Sequence, residues 1–490
     1  MRQIRIFFIS IFSFVLLQTN AQTLNFFKDN IYNLNYNPAA EVTVRAHILL
    51  PAISNLDVQL HTNIVNSYKS VFSSDNQGNK VIDPKRFFAP IPNSSYGEMA
   101  FNLNTELLGF GFKVGEKLYL TFDSRLRSEN TFFAPKGLFQ LLSDGNIEHI
   151  NENMSILPLA SVLMYTDFSV GAQYKLTEQI TIGLRGKLLM GLLGANIKES
   201  SLALMTDPEW NLHLKGSALV NLYVPKGLIN NKLGNISNLT DLKSLFDFNN
   251  FRVNSLFNSW GGGFDVGAEV KLPLNFGVKA SLIDVGWIKW NRDQEGAISY
   301  KAEINPNHRL CQNGELVFDG ISLNSFNLSD TFFSNLLDTF ALGTAFLFTK
   351  ATPESYVMRT NPKLFLEGYY QLKIHKFSAL MRIDFLQKGV LPSFTLAYNL
   401  NVKRIIDIAA SYTLTKGSYG NLGVGFSLNP GNVFHFYVVT DNLLTILFPL
   451  ANNNFNVQTG MFFTIPAKKV KIEQTQEKEI ITTTTRKEKK

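Results

Sequence analysis

The sequence predicts an all-β protein, a transmembrane antiparallel β-barrel of about 14 strands, with roughly 12–16 compatible with its pattern. Short helices are expected in the extracellular loops, and a plug-like segment at the N terminus. Three observations carry this reading: sustained two-residue alternation, a secretory leader ahead of it, and connections that fall into a short and a long class.

The alternation is clearest between Lys363 and Ile465. Ile406, Ile408, Ala410, Tyr412 and Leu414 share one face; Asp407, Ala409, Ser411, Thr413 and Thr415 share the other. Period two is the mark of a strand with one apolar and one polar face. Earlier strands repeat it. Leu118, Leu120 and Phe122 oppose Tyr119, Thr121, Asp123 and Arg125, and Phe264, Val266 and Ala268 oppose Asp265 and Glu269. A soluble sandwich also alternates. Here the strands are near the roughly 9–11 residues that a tilted membrane strand needs, and their apolar faces carry almost no charge.

The leader occupies residues 1–21. Arg2 and Arg5 precede an apolar core from Ile6 to Leu17, and Thr19-Asn20-Ala21 offers small residues for cleavage after Ala21. The core is too short for a spanning helix, which needs roughly 20 apolar residues, and Leu188–Ile197 is too short as well. Both termini are then expected on the periplasmic side of the outer membrane of a Gram-negative bacterium, which requires an even strand count.

Short connections include Val114–Lys117, Thr177–Gln179, Leu272–Leu274, Ile374–Lys376, Val402–Arg404 and Pro430–Asn432, where turn formers recur. Long ones cover roughly 128–160, 200–262, 291–362 and 441–454. Segments 136–145, 239–248 and 329–340 carry apolar residues at three- and four-residue spacing, which predicts rim helices. These would cap the rim or form an apolar landing surface.

Four regions follow: leader 1–21, plug or periplasmic segment 22–40, barrel 41–466, and a basic tail 467–490 expected to be disordered and periplasmic. The net charge of +7 sits mostly at the two ends, in Arg2, Arg5 and the Lys-rich tail, so the near-neutral body gives no sign of nucleic-acid binding. The single Cys311 excludes an intramolecular disulfide and makes a cysteine-rich metal site implausible.

Charges on the polar faces must point inward, because on the lipid face each would cost about 2–4 kcal/mol at mid-depth. These are Glu106, Asp123, Arg125, Arg127, Arg185, Lys187, Asp265, Glu269, Lys271, Glu367, Arg382 and Asp384. Their mixed signs predict a bridged, narrow lumen in preference to an ion-selective pore. No Gly-x-Ser-x-Gly elbow, His-Glu-x-x-His, phosphate-cradling glycine loop or EF-hand spacing occurs, and Asp75–Gly78 reads as a turn. No catalytic residue, cofactor or metal ligand is nominated, and His375 and His435 read as structural.

The stretches NPAAEVTVRAHILLPAISNLDVQLHTN, LLGFGFKVGEKLYLTFDSRLRSE and FFAPKGLFQLLSDGN resemble a family of Bacteroidota outer-membrane β-barrel proteins of unknown function, a DUF family. That family is distantly similar to long-chain fatty-acid transporter barrels and to barrel subunits of type IX secretion. The resemblance runs from about Leu24 to Pro466, with Asn37-Pro38-Ala39 and Pro135–Leu141 its most specific parts. It implies a barrel of about 14 strands with an N-terminal segment near or inside the lumen. Departing from barrels that end on their last strand, this chain continues beyond Ile465.

Two functions are expected. One is passive uptake of a hydrophobic or amphipathic small molecule through an outer-membrane barrel surrounded by lipid. The alternative is a non-transporting subunit that docks other envelope or secretion proteins, with a periplasmic protein engaging 467–490. A barrel hydrolase is the remote third.

Overall fold

The computed structural model describes residues 22–28, 30–62, 72–74, 80–82, 96–224, 259–290, 297–318, 345–351, 356–386, 389–415, 418–447 and 454–467. The leader, the turn at 75–78, the helical patterns at 239–248 and 329–340, and the tail from 468 onward lie outside them.

Fourteen antiparallel strands close into one barrel. Strand β1 is Val44–Leu49 continued by Leu56–Thr62; β2 is Tyr96–Val114, β3 Leu118–Pro135, β4 Leu159–Lys175 and β5 Ile180–Ser200. Three strands come in pieces: β6 (Ser217–Tyr223, Trp260–Lys271), β7 (Phe276–Trp290, Ala297–Ile304) and β8 (Phe346–Ala351, Tyr356–Arg359, Lys363–Leu372). The rest are β9 His375–Leu386, β10 Gly389–Val402, β11 Ile406–Thr415, β12 Ser418–Leu428, β13 Phe434–Thr440 and β14 Asn454–Pro466. Pairing of β14 with both parts of β1, as at Ile48 with Phe463 and Leu56 with Thr459, closes the seam of the ring.

Burial runs opposite to that of a soluble protein. Along β11, Asp407, Ala409, Ser411, Thr413 and Thr415 are buried, whereas Ile408, Tyr412 and Leu414 are exposed. The outer wall presents Phe110, Phe112, Val170, Leu184, Val278 and Phe394 to the surroundings. An apolar exterior around a polar interior is the arrangement that satisfies every strand in lipid.

The long connections differ from the sequence expectation in one respect. Residues 128–135 still belong to β3, while 217–223, 297–304 and 346–351 pair with one another and with β5 in continuation of β6, β7 and β8. Ile298–Ile304 and a segment near 341–348 are candidate strands in the sequence, and these pieces form because their neighbours supply a ladder. Other loop segments build a small antiparallel sheet over the long-loop end from Cys311–Gln312, Glu315–Phe318, Leu212–Lys215, Ala203–Thr206 and Met154–Ser155. Helix α1, Lys136–Asp144, forms where the spacing predicts it, and its Leu141 packs against that sheet's Met154, Leu204 and Leu316.

Candidate functional site

The barrel interior is layered, and β5 runs past each layer in turn. Gly183 faces the N-terminal segment, Arg185 and Lys187 enter a lattice of charges, and Leu189 joins an aromatic cluster towards the long-loop end.

The N-terminal segment lies inside the barrel. Two short 3-10 helices, Thr23–Phe26 and Ile31–Asn35, bury Leu24, Phe26, Ile31 and Tyr32 against inward residues such as Phe365, Tyr437 and Phe462. Polar groups tie it to many strands: Asn25 donates to Glu367 at 3.0 Å, the Lys28 amide to Asp407 at 2.9 Å, and Arg185 to Asn35 at 3.0 Å. The Asn37-Pro38-Ala39 motif makes the exit turn. The Asn37 carboxamide oxygen accepts the Ala39 amide at 2.8 Å, an Asx turn. Asn37 and Pro38 press so closely on Gly267 and Gly183 that a side chain at either glycine would collide with them.

Above it, Asp284 is the hub of the charge lattice. Arg127 binds it through two nitrogens at 2.6 and 3.2 Å, Lys187 at 2.7 Å and Lys363 at 2.9 Å. Lys187 also reaches Asp265 at 2.6 Å, and Arg185 lies 3.6 Å from Asp265 and 3.7 Å from Asp123. Arg125 pairs with Asp167 at 2.8 Å. Lys376 and Lys279 flank Glu367 at 2.9 and 3.4 Å, and Arg382 holds Asp384 at 2.6 Å. Glu269 accepts the Tyr369 hydroxyl at 2.8 Å, while Glu106 is buried between β1 and β3. The Arg127 to Asp284 contact joins β3 to β7 across the interior, so the lattice braces the barrel as well as neutralising its charges.

Of the residues nominated from sequence, eleven are buried on the inward face and one is not. Lys271 ends β6 at the short-turn rim, where it pairs with Glu41 at 2.9 Å and stays 41% exposed. Asp284 escapes the sequence pattern altogether. Its phase after Ser281 and Ile283 would turn it to lipid, but its φ of 58° and a register shift between Phe264 and Val266 aim both Ile283 and Asp284 inward. A bulge re-aims side chains in this way, and Asp tolerates the left-handed conformation. Asp167 was legible, since it shares the inward phase of Ser169 and Gln173.

Tyr165, Leu189, Tyr223, Ile288, Trp290 and Met358 form the aromatic layer. Tyr223 stands 5.6 Å from the Trp290 ring and 6.4 Å from Tyr356. The indole lies on Gly191 and Gly194, where a methyl group would meet it at 2.6 and 2.7 Å. Among the described residues the buried Trp290 Nε1 has no hydrogen-bond partner. The layer touches the lattice through Tyr165, whose hydroxyl donates to Glu129 at 2.7 Å.

Among the described residues the wall leaves regular strand at Val224 and Ser259 in β6 and at Thr360–Pro362 in β8, the two strands that flank β7. The ladders resume beyond, with Tyr223 opposite Ala297 and Ser299 opposite Ala351. Outside, Trp260 and Trp287 are 62% and 51% exposed, beside the outward Lys289 and Arg359. Aromatic and basic residues together mark the membrane–water interface. Below, the lumen holds a polar cavity of about 80 Å³, lined by Asn35, Asp57, Arg125, Asp284, Lys363 and Arg382.

A closed barrel with an apolar wall, a charge-filled lumen and its own N-terminal segment folded inside is a transmembrane β-barrel of the outer-membrane type. Within that class the chain belongs to DUF5723, a family of unknown function, whose model matches residues 38–441. No curated protein matches the chain. Among solved structures it is similar to a mutant of the monoaromatic hydrocarbon channel TodX, with 10% identity over 89% of this chain and 95% of that one, TM-score 0.44. The Pseudomonas putida toluene transporter TodX gives 9% identity over 91% and 97%, TM-score 0.39. A Pseudomonas aeruginosa FadL homologue gives 12% identity over 91% and 97%, TM-score 0.30.

Proposed function

We propose that this protein admits a hydrophobic or amphipathic small molecule through the outer membrane, with the aromatic layer as its binding site and the wall beside it, where β6 and β8 leave regular strand, as its way out of the lumen. The carrying observation is a buried aromatic layer, Tyr223, Tyr356 and Trp290, beside Val224 and Ser259, where β6 leaves its ladder. A route straight down the barrel is unsuited to an apolar molecule, because the lattice and the N-terminal segment fill it with paired charges and hydrogen bonds. In this reading the short-turn end and both termini face the periplasm, since periplasmic turns are the short ones.

Uptake of a radiolabelled long-chain fatty acid and of an alkylbenzene by cells carrying the protein tests this. Trp290→Arg places an unpaired charge in the apolar layer, which costs several kcal/mol, and each 1.4 kcal/mol is tenfold, so uptake should fall at least about tenfold. Uptake equal in cells with the wild-type protein and cells without it would sink the reading.

The filled lumen favours the second reading, a barrel that docks other envelope proteins. A stable partner recovered with the full chain and lost on removal of 467–490, together with absent uptake, would establish docking in its place.

A further inference from the structure

Asp441 is a buried carboxylate with no cation in contact with it. It follows β13, is 1% exposed, and among the described residues Arg382 acts on it only from beyond ion-pair distance. Its hydrogen bonds come from the start of the lumenal segment: the Gln22 amide, the Thr23 amide at 2.8 Å and the Thr23 hydroxyl. Gln22 is itself enclosed. Its side-chain nitrogen donates to Ser393 at 2.9 Å, and its side-chain oxygen accepts from Thr395 at 2.5 Å. The Thr23 hydroxyl also lies 2.8 Å from that of Ser411. Three elements of the wall, β10, β11 and the end of β13, thus converge on residues 22 and 23. Burying a carboxylate without an opposite charge costs several kcal/mol, and three hydrogen bonds offset only part of that.

We infer that Asp441 is the receptor for the α-ammonium group of the processed chain, which begins at Gln22. This rests on cleavage of the leader after Ala21. Hydrolysis of the Ala21–Gln22 amide adds one water: the hydroxyl stays on Ala21, which departs as the leader's carboxyl terminus, and a hydrogen goes to the Gln22 nitrogen. With an ordinary α-amino pKa of about 7.7–8.0, that amine binds a further proton at neutral pH. One backbone donor becomes an ammonium with three, and a positive charge arrives beside the Asp441 carboxylate. The site therefore reads the processing state of the chain, because the uncleaved precursor brings a neutral amide to the same carboxylate. Ser393 and Thr395 have a second role here. They hold the Gln22 side-chain amide, the group that its own amine would attack to close a lactam with loss of ammonia, and so keep the residue open.

The test is mass spectrometry of the mature N terminus combined with isotopic reductive methylation, light label on the folded protein and heavy label after unfolding. The expected result is a chain starting at open Gln22 whose α-amine takes almost only the heavy label. In Asp441→Asn, which keeps the shape and removes the charge, the same amine takes the light label and the barrel unfolds at a lower temperature. If that variant fails to assemble, protection in the wild-type protein decides alone. A mature chain starting elsewhere would show the cleavage reading wrong and overturn the inference. A Gln22 lighter by one ammonia, or a wild-type α-amine labelled equally folded and unfolded, would overturn the ammonium site while leaving cleavage after Ala21 intact.

Discussion

Among the described residues the wall leaves regular strand in β6 and β8 and again after β13, and the two places are sealed by different forces. Where β6 and β8 leave their ladders, the wall is backed by Tyr223, Ile288, Trp290 and Met358. On the other side β13 stops at Thr440, and a short helix, α2 (Leu443–Leu447), packs against β12 and β14. That second break is closed by directed bonds. Asn442 caps α2 by accepting the Thr445 amide at 3.3 Å and donates to Asn421 at 3.1 Å, which in turn donates to the Thr413 carbonyl at 3.1 Å. Hydrogen bonds need particular partners in particular places, whereas apolar contact is non-directional. An apolar molecule can take the place of the first seal. It cannot take the place of the second.

The largest expected effect comes from beneath the aromatic break. Asp284→Ala leaves Arg127, Lys187 and Lys363 without their common anion, and stranding buried charges costs about 3–5 kcal/mol or more. The temperature at which the barrel loses its folded mobility on gels should drop steeply, and an unchanged temperature would mean that the lattice contributes no stability. Trp290→Ala should cost about 3–5 kcal/mol through the cavity it leaves. Added alkylbenzene at about 100 times its dissociation constant should return roughly 2.7 kcal/mol of that loss.

Asn442→Ala sharpens the contrast from the other break. Loss of the cap should cost about 0.5–2 kcal/mol, and the alkylbenzene should return none of it. Rescue of both variants alike would erase the distinction between the two seals. The smallest effect belongs to neither break. Glu41 lies between the lumenal segment and β1, where burial pushes its carboxyl up but Lys271 at 2.9 Å and Lys175 at 4.0 Å outweigh this and leave it below the usual carboxylate range. Being 41% exposed, the pair is screened by solvent, and Glu41→Gln should cost under about 1 kcal/mol. A depressed carboxyl stabilises above its unfolded pKa of about 4.3, so wild type and variant should converge as the pH falls below that value.

The same contrast governs what the sequence could reveal. Strands β9 to β12 are uninterrupted over most of their length, so their alternation could be followed residue by residue, and the inward placement of Arg382 and Asp384 came with it. Strands β6 and β8 leave their ladders at Val224, Ser259 and Thr360–Pro362, and their outer parts find partners distant in the chain, so the alternation cannot be followed across them. Asp284 was hidden for a related reason, because one left-handed residue reverses the phase of everything after it. The lumenal segment announced itself only by lacking alternation and ending in Asn-Pro. Its depth inside the barrel depends on glycines in other strands, whose role no local pattern records.

Those glycines bear on how the barrel is put together. Asn37 and Pro38 rest directly on the backbones at Gly267 and Gly183, and Thr23 and Phe27 crowd Gly423 and Gly425 on the opposite wall. The segment precedes β1, one of the two strands that form the final seam. A ring closing early, with fewer strands, would have no room for it, and a wider ring would lose contact on one side. The chain therefore carries its own mandrel, around which only one circumference fits.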